Sequence, residues 1–487
     1  MKKNIIVIMA DQLRRDFVGP YTPNINALIN DSVQFSNAYC NSPLCVPARA
    51  TFFTSTHPGN SGCLINPWEE SDHKHGYIKA GIPSLYTILE DEWDSWHSGK
   101  QHLFTEDHFH EKPESKTKWL PLDGGKERRE YLEKNNIKSP GGSAYKAYLP
   151  EIMNQKTTKV KAYSIPTTGL YPNNVKDFYD GFITSDSLTA IRERDKSKPF
   201  MLNAMFLAPH PPLQIPNPYY DKYQEAPLSD NVGKWYSAQS PLQMYQLTGF
   251  IGSRYSREDW KEIWRVYAGL VNLLDDCVGQ IIDELKKENM YDDSIIIFTS
   301  DHGEMLGSHG LWQKMCLYEE SAAIPLSFKL PNNEFAGKKI DRFVSHIDVL
   351  PTILDLLKVE KNEHIQGQSL VPLFNDKTIE DKPVFIQHDG NGALGTHQRC
   401  IIKDGYKLIV DTHFDEKFFE LYDLNNDPLE TKNESMLKTD VTKELLNTLI
   451  NHMKENQDLL TFEINDFEEF LINRTDLINK PQSEMLM

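Results

Sequence analysis

Two apolar runs in this 487-residue chain end in paired polar residues. "NIIVIMA" ends at Asp11-Gln12, and "SIIIFTS" ends at Asp301-His302. Such continuous runs are expected of strands buried on both faces of a parallel sheet. In open parallel sheets, ligands sit beyond the carboxyl ends of the strands. Either pair alone could simply cap the next helix. Together they offer four oxygen or nitrogen donors from two strand ends, a set suited to a hard divalent cation. A third stretch is "NSPLCVPARATFFTS", residues 41–55, where Pro47 and Arg49 follow Cys45. A free cysteine can be a packing residue, a metal ligand, a thiol nucleophile or a side chain rebuilt before it acts. Neither packing nor a plain thiol nucleophile accounts for Pro and Arg at those offsets.

The elements that must position these residues are legible in outline. "YTPNINALINDSVQF" has Thr22 as N-cap, Pro23 at the first helical position, and Ile25, Leu28 and Ile29 on one face. "PFMLNAMFLAP" (199–209) is another buried strand. Ile263, Val266, Leu270, Leu274, Val278, Ile281 and Leu285 recur at helical spacing and predict a helix over 260–288. "SHIDVLPTILDLL" (345–357) predicts a further amphipathic helix. Strands alternating with helices imply an α/β fold, a large, mostly parallel sheet sandwiched by helices. Residues 105–180 are polar, with scattered Gly and Pro, and read as an insertion rather than core. After about residue 380, short strands are broken by Asp-Gly and Asn-Asp turns, with a helix near 441–454. This predicts a catalytic domain over 1–380 and a C-terminal subdomain over 381–487 with an antiparallel sheet.

With 39% hydrophobic and 25% charged residues, the composition is that of a globular protein. A net charge of −18 repels nucleic acid and anionic lipid, so neither is an expected partner. The N-terminal lysines precede an apolar run shorter than the roughly 7–15 residues of a secretion signal. No run reaches the ~20 residues of a membrane span. The expected location is therefore the cytoplasm. Cysteines 40, 45, 63, 277, 316 and 400 form no CxxC pair or zinc spacing and are expected as free thiols.

"CVPAR" resembles the C-x-P-x-R signature of the formylglycine-dependent (type I) sulfatases, a family within the alkaline phosphatase superfamily. "SGKQHL" (98–103) is similar to that family's G-K-x-H, and "FLAPHPP" (206–212) to its A-P-H. "SDHGEMLGSHGLWQKMCLYEESAAIPLSF" resembles its stretch from the second metal pair to the active-site lysine. "FVSHIDVLPTILDLL" and "FELYDLNNDPLETKN" resemble later landmarks with structural roles. All six occur in family order and span most of the chain.

The resemblance implies a fold, a cofactor set and roles. Asp11, Gln12, Asp301 and His302 would hold one divalent cation together with residue 45. Calcium is expected, with magnesium or manganese as alternatives. Cys45 would be oxidised to formylglycine by a separate maturation enzyme. The hydrated aldehyde carries two hydroxyls on one carbon. One attacks sulfur and expels the alcohol, its pKa lowered beside a cation. The other then loses its proton, the aldehyde re-forms and sulfate leaves. Arg49 would support the modified residue. Lys100 and Lys314 would bind sulfate oxygens as compact cations. His210 would protonate the leaving alcohol and His102 would deprotonate the second hydroxyl. If 98–103 is extended, Lys100 and His102 face the same way.

Three departures stand out. Gln12 occupies a position where the family often has a second aspartate, and His302 one where it often has an amide. Ser55 stands where a glycine often follows the threonine. The main rival is a phosphonate monoester hydrolase or phosphodiesterase of the same superfamily. That subgroup tends to lack the Lys and His of G-K-x-H, so Lys100 and His102 favour sulfate. A second rival, an inactive sugar-binding relative, would be expected to have lost part of the catalytic set. The expected substrate is a small carbohydrate sulfate, such as a short glycosaminoglycan or uronate fragment. His388, His397 and Arg399 are candidates to reach its carboxylate or hydroxyls. Trp68 and Trp312 could stack on a sugar or pack in the core.

Overall fold

The apolar run at the N-terminus forms the strand Asn4–Asp11, buried along nearly its whole length. The structure, a computed structural model, describes all residues except 1, 71–72, 108–114, 123–124, 154–156, 393 and 475–487. Asn4–Asp11 lies near the middle of an eight-stranded sheet. Across the sheet the strands are Lys339–Ser345, Val33–Tyr39, Ala323–Lys329, Ser294–Ser300, Asn4–Asp11, Phe200–Pro209, Asp94–Gly99 and Lys118–Pro121. Only Ala323–Lys329 runs antiparallel to its neighbours. The mixed, mostly parallel sheet agrees with the sequence expectation.

Alternate side chains of a strand face opposite sides of a sheet. Ile6, Ile8 and Ala10 therefore enter one core with the helix Arg257–Lys287. Ile5, Val7 and Met9 enter the other with the helices Cys45–Thr54 and Val349–Leu357. The long helix starts at a Ser256/Asp259 capping box and carries Lys286 and Lys287 in its last turn. Acids at the start and bases at the end both oppose the helix dipole. Thr22 does precede the helix Pro23–Asn30, but its side chain does not cap it. The Asp275 carboxylate accepts from Asn24 and Ile25 N–H (3.1 and 2.8 Å) and caps that helix from outside.

The stretch 105–180 is more structured than its polarity predicted. Lys118–Pro121 forms the edge of the main sheet, Lys146–Met153 and Thr157–Ser164 form a hairpin, and Tyr145, Tyr163 and Tyr171 are buried. Residues 108–114, 123–124 and 154–156 of that stretch lie outside the described residues.

A four-stranded antiparallel sheet, Val384–His388, His397–Lys403, Tyr406–His413 and Glu416–Asp423, packs with the helices Thr439–Glu455 and Ile464–Asn473. The last helix was not foreseen. This sheet meets the main one through a buried charge cluster. Lys407 Nζ lies 3.1 Å from Glu319 and 2.9 Å from Glu430, the glutamate of "DPLE". Removing the cation leaves the buried Glu430 carboxyl without its ion-pair partner, while Glu319 keeps Arg15 at 3.2 Å. Lys407→Met is expected to cost about 3–5 kcal/mol, read as a lowered urea midpoint.

Among the described residues, no helix is long and apolar enough to cross a membrane.

Candidate active site

Sheet register builds the site. Ala10 pairs with Ser300 in the parallel ladder, so Asp11 and Asp301 emerge side by side at the carboxyl ends of adjacent strands. Gln12 has a left-handed φ of 68°, held by its N–H on Asp301 Oδ1 (3.0 Å) and by Tyr267 Oη donating to its carbonyl (2.6 Å). His302 N–H also donates to Asp301 Oδ1, at 2.9 Å.

Cys45 is the first residue of the buried helix Cys45–Thr54. Pro47 falls in the first turn, where its missing N–H costs nothing. Arg49 falls one turn after Cys45 and so shares its face. That geometry explains the spacing. Arg49 donates to Asp301 Oδ2 (3.0 Å) and to the Lys100 carbonyl (2.6 Å), and lies 3.5 Å from Asp11. Ser55 ends the helix at φ 53°, a left-handed position that favours glycine. Its hydroxyl compensates by donating to the Ile347 carbonyl and accepting from Gly367 N–H.

Ligand atoms of Asp11, Cys45, Asp301 and His302 all lie within 4.8 Å of one another, and all four residues are buried. Cys45 Sγ is 3.2 Å from His302 Nε2 and 3.8 Å from Asp11 Oδ1. His302 Nδ1 bonds the Gly303 carbonyl (2.9 Å), which makes it the N–H and turns the Nε2 lone pair toward the cluster. Lys100 Nζ contacts Asp11 and lies 3.5 Å from Cys45 Sγ. Lys314 Nζ donates to Gln12 Oε1 (2.6 Å) and lies 3.0 Å from His210 Nε2.

Charges shift one another here. Burial raises the Asp11 carboxyl and Cys45 adds to it, but Lys100, His210 and Arg49 prevail and hold it at about 2. Burial and the Asp11 charge push Asp301 up. Burial opposes ionisation of the Cys45 thiol, yet Lys100, Lys314 and His302 bring it well below its ordinary value. Burial, then Lys100, pushes His102 down to about 4. Burial, then Lys314, lowers His210.

Cys45, Lys100, His102, His210 and Lys314 line a cavity of about 700 Å³. The segment after Gly99 is not extended: His102 has a φ of 42°. The turn still brings both Lys100 and His102 to the wall of this cavity. Trp68, 51% exposed, also lines it, edge-on to His102 at 5.2 Å. Trp312 is a core residue beside Trp260. Tyr145 and Tyr163, which the sequence reading passed over, add aromatic wall.

His388, His397 and Arg399 do not line this cavity. Arg399 is buried between Asp389 (2.7 Å) and Asp458 (2.6 Å). His397 is held by Asp389 at 2.8 Å, and His388 is buried beside a separate small cavity. From the same loop it is Asn391 that reaches the cleft, bonded to Asn66 at 2.9 Å.

The sulfatase family model matches residues 3–359. The chain belongs to the sulfatase family. A model of the N-sulphoglucosamine sulphohydrolase C-terminal region matches residues 307–458 of this sulfatase. Choline-sulfatase of Rhizobium meliloti is 30% identical over 458 residues, covering 89% of this chain and 82% of that protein. N-acetylglucosamine-6-O-sulfatase of Bacteroides thetaiotaomicron is 25% identical, with the same two coverages. Among solved structures, phosphonate monoester hydrolase of Agrobacterium radiobacter superposes with a TM-score of 0.76 at 22% identity, covering 93% of this chain and 96% of that one. A 2-O GAG sulfatase gives 0.71 at 20%, covering 94% and 93%. At these identities the structures speak for the fold alone.

Proposed function

We propose that this sulfatase hydrolyses the sulfate monoester of a small saccharide, using formylglycine made from Cys45. The observation that carries the reading is Cys45 between a two-carboxylate cluster and a cleft that holds Lys100, Lys314, His102 and His210. Asp11, Asp301 and His302 fit a divalent cation, two carboxylates and an imidazole lone pair converging in a buried pocket, and Gln12, next to Asp11, would add its amide oxygen. Oxygen donors of this kind suit calcium, magnesium or manganese, and we take calcium as the ion to test. When bound, such a cation supplies Lewis acidity and charge neutralisation beside residue 45.

The chain's own residues do the rest. Lys100 Nζ and Lys314 Nζ bind sulfate oxygens. Arg49 holds both aspartates in place. His102, kept neutral by burial and Lys100, is the base for the second hydroxyl of the hydrated aldehyde. His210 protonates the departing oxygen. The presence of Lys100 and His102 in the cleft supports sulfate over phosphonate chemistry.

The cleft also bears on the substrate. Among the described residues lining it, none is Asp or Glu, while Lys100, Lys146 and Lys314 are present. A quaternary ammonium would meet these lysines and no carboxylate, although the aromatic side chains of the cleft could also receive it. Trp68, Tyr145 and Tyr163 offer faces for a sugar ring, and the three lysines favour a saccharide that carries further anionic or hydroxyl groups over a cationic alcohol. The test is a panel of singly sulfated mono- and disaccharides, choline sulfate, and an aryl phosphonate, run on protein from a host that makes formylglycine. A sugar sulfate is expected to give the highest kcat/KM. Dominant phosphonate hydrolysis would overturn sulfate as the substrate class, and dominant choline sulfate hydrolysis would overturn the saccharide.

A further inference from the structure

Gln12 is held at four points, and one of them involves a residue outside the assigned chemistry. Its N–H donates to Asp301, its carbonyl accepts from Tyr267, and its side-chain Oε1 accepts from Lys314 at 2.6 Å. The fourth contact is Gln12 Nε2 donating to Glu304 Oε2. Glu304 is the acid of "SDHGE", fully buried and two residues after His302. It is itself fixed: its Oε1 accepts from Leu306 N–H (3.2 Å) and from Gln313 N–H, and its own N–H bonds the Glu320 carbonyl (2.8 Å).

An amide side chain can bind a cation through only one of its two ends. The carbonyl oxygen is an acceptor and the NH₂ group is a donor. An ammonium has no lone pair to accept with, so only the amide oxygen can meet Lys314, and the NH₂ group is left facing Glu304 as its acceptor. Lys314 and Glu304 therefore read the Gln12 amide in opposite senses. Flipping it would set NH₂ against the ammonium and C=O against the carboxylate, losing both bonds. A carbonyl oxygen has two lone pairs, so Oε1 can serve Lys314 and a cation together.

We infer that Glu304 is a positioning residue that fixes the Gln12 amide with its oxygen toward the cation site. The inference rests on reading Asp11, Gln12, Asp301 and His302 as that site. It also accounts for glutamine where the family often has aspartate. A carboxylate at position 12 would face Glu304 directly, whereas an amide uses Glu304 as its acceptor. The negative charge missing from the ligand set stands one residue behind it.

The test is calcium binding to the full-length protein after chelator treatment, followed by titration calorimetry. Outer partners of metal ligands are worth about 10–100-fold in affinity. Glu304→Gln is isosteric but can no longer impose an orientation, so a loss of that size is expected. Gln12→Glu alone sets two carboxyl groups together, and its calcium affinity is expected to fall below that of the double variant. Combining Gln12→Glu with Glu304→Gln restores a donor facing an acceptor and is expected to bind calcium more tightly than either single variant. A purely structural role for Glu304 would not give this rescue. Circular dichroism of the calcium-free variants checks that each is folded. Affinity of Glu304→Gln within about twofold of wild type, the scatter between independent sites, would overturn the inference. So would the double variant binding calcium no more tightly than Gln12→Glu. Asp301→Asn separates the two levels. If wild type binds calcium but Asp301→Asn binds it equally, the cation-site reading fails, and the role of Glu304 falls with it.

Discussion

A Cys45→Ser variant made in a host that matures sulfatases is expected to lose at least about 10⁴-fold in kcat on a sugar sulfate. The reason lies in the carbon that bears the nucleophile. A hydrated aldehyde carries a second hydroxyl, whose deprotonation expels sulfate. Serine has one. It can attack once, and the resulting sulfate ester must wait for water. The peptide containing residue 45 should therefore gain the mass of one SO₃ after incubation with substrate. Cys45→Ala should be equally inactive and gain nothing. Neither change should unfold the protein, because the neighbours at the cluster end of residue 45 are Asp11, Lys100 and His302 rather than apolar core. An unchanged urea midpoint checks this. Retained turnover in Cys45→Ala would remove residue 45 from the chemistry.

The strand ends carrying this site were legible because a doubly buried strand writes itself as an unbroken apolar run. What the runs did not contain was their pairing. The match of Ala10 to Ser300 joins residues far apart in sequence, and only the register makes their aspartates neighbours. The helix beginning at Cys45 shows the same division. Its motif was visible, while the reason for the spacing, Pro47 in the first turn and Arg49 one turn on, needed the helix itself. Ser55 had no reading until its left-handed φ placed it where a helix ends.

The residues whose surroundings the sequence did not show have something in common. Polar side chains in a Gly-rich loop resemble binding residues when their partners are remote. Asp458, which claims Arg399, is 59 positions away. Trp68 and Trp312 are chemically alike, and only burial separates a cleft wall from a core residue. Glu304 was passed over because a single acid carries no local pattern. Its meaning comes from Gln12, on the neighbouring strand end.

His210→Gln is expected to divide substrates by their leaving group. A departing sugar alkoxide is strongly basic and needs a proton in the transition state, whereas 4-nitrophenolate leaves unaided. A positioned general acid contributes about 10²–10⁴-fold, so kcat on a sugar sulfate should fall by that much while 4-nitrophenyl sulfate loses less than about tenfold. The ring is set for the task. His210 Nδ1–H is spent on the Pro211 carbonyl (2.5 Å), leaving Nε2 to face the cleft beside Lys314. Burial, then that lysine, lowers the imidazole below its ordinary 6.5. A sulfate oxygen that takes over Lys314 Nζ would release Nε2 and favour its protonation. The pH dependence has a fixed sign. The acid form is required and is lost as pH rises, so kcat/KM on a sugar sulfate should decline through a pKa below 6.5 in the free enzyme. That limb should be absent for 4-nitrophenyl sulfate and for His210→Gln. Equal losses on both substrates would mean that His210 binds the sulfate group and that the proton comes from elsewhere.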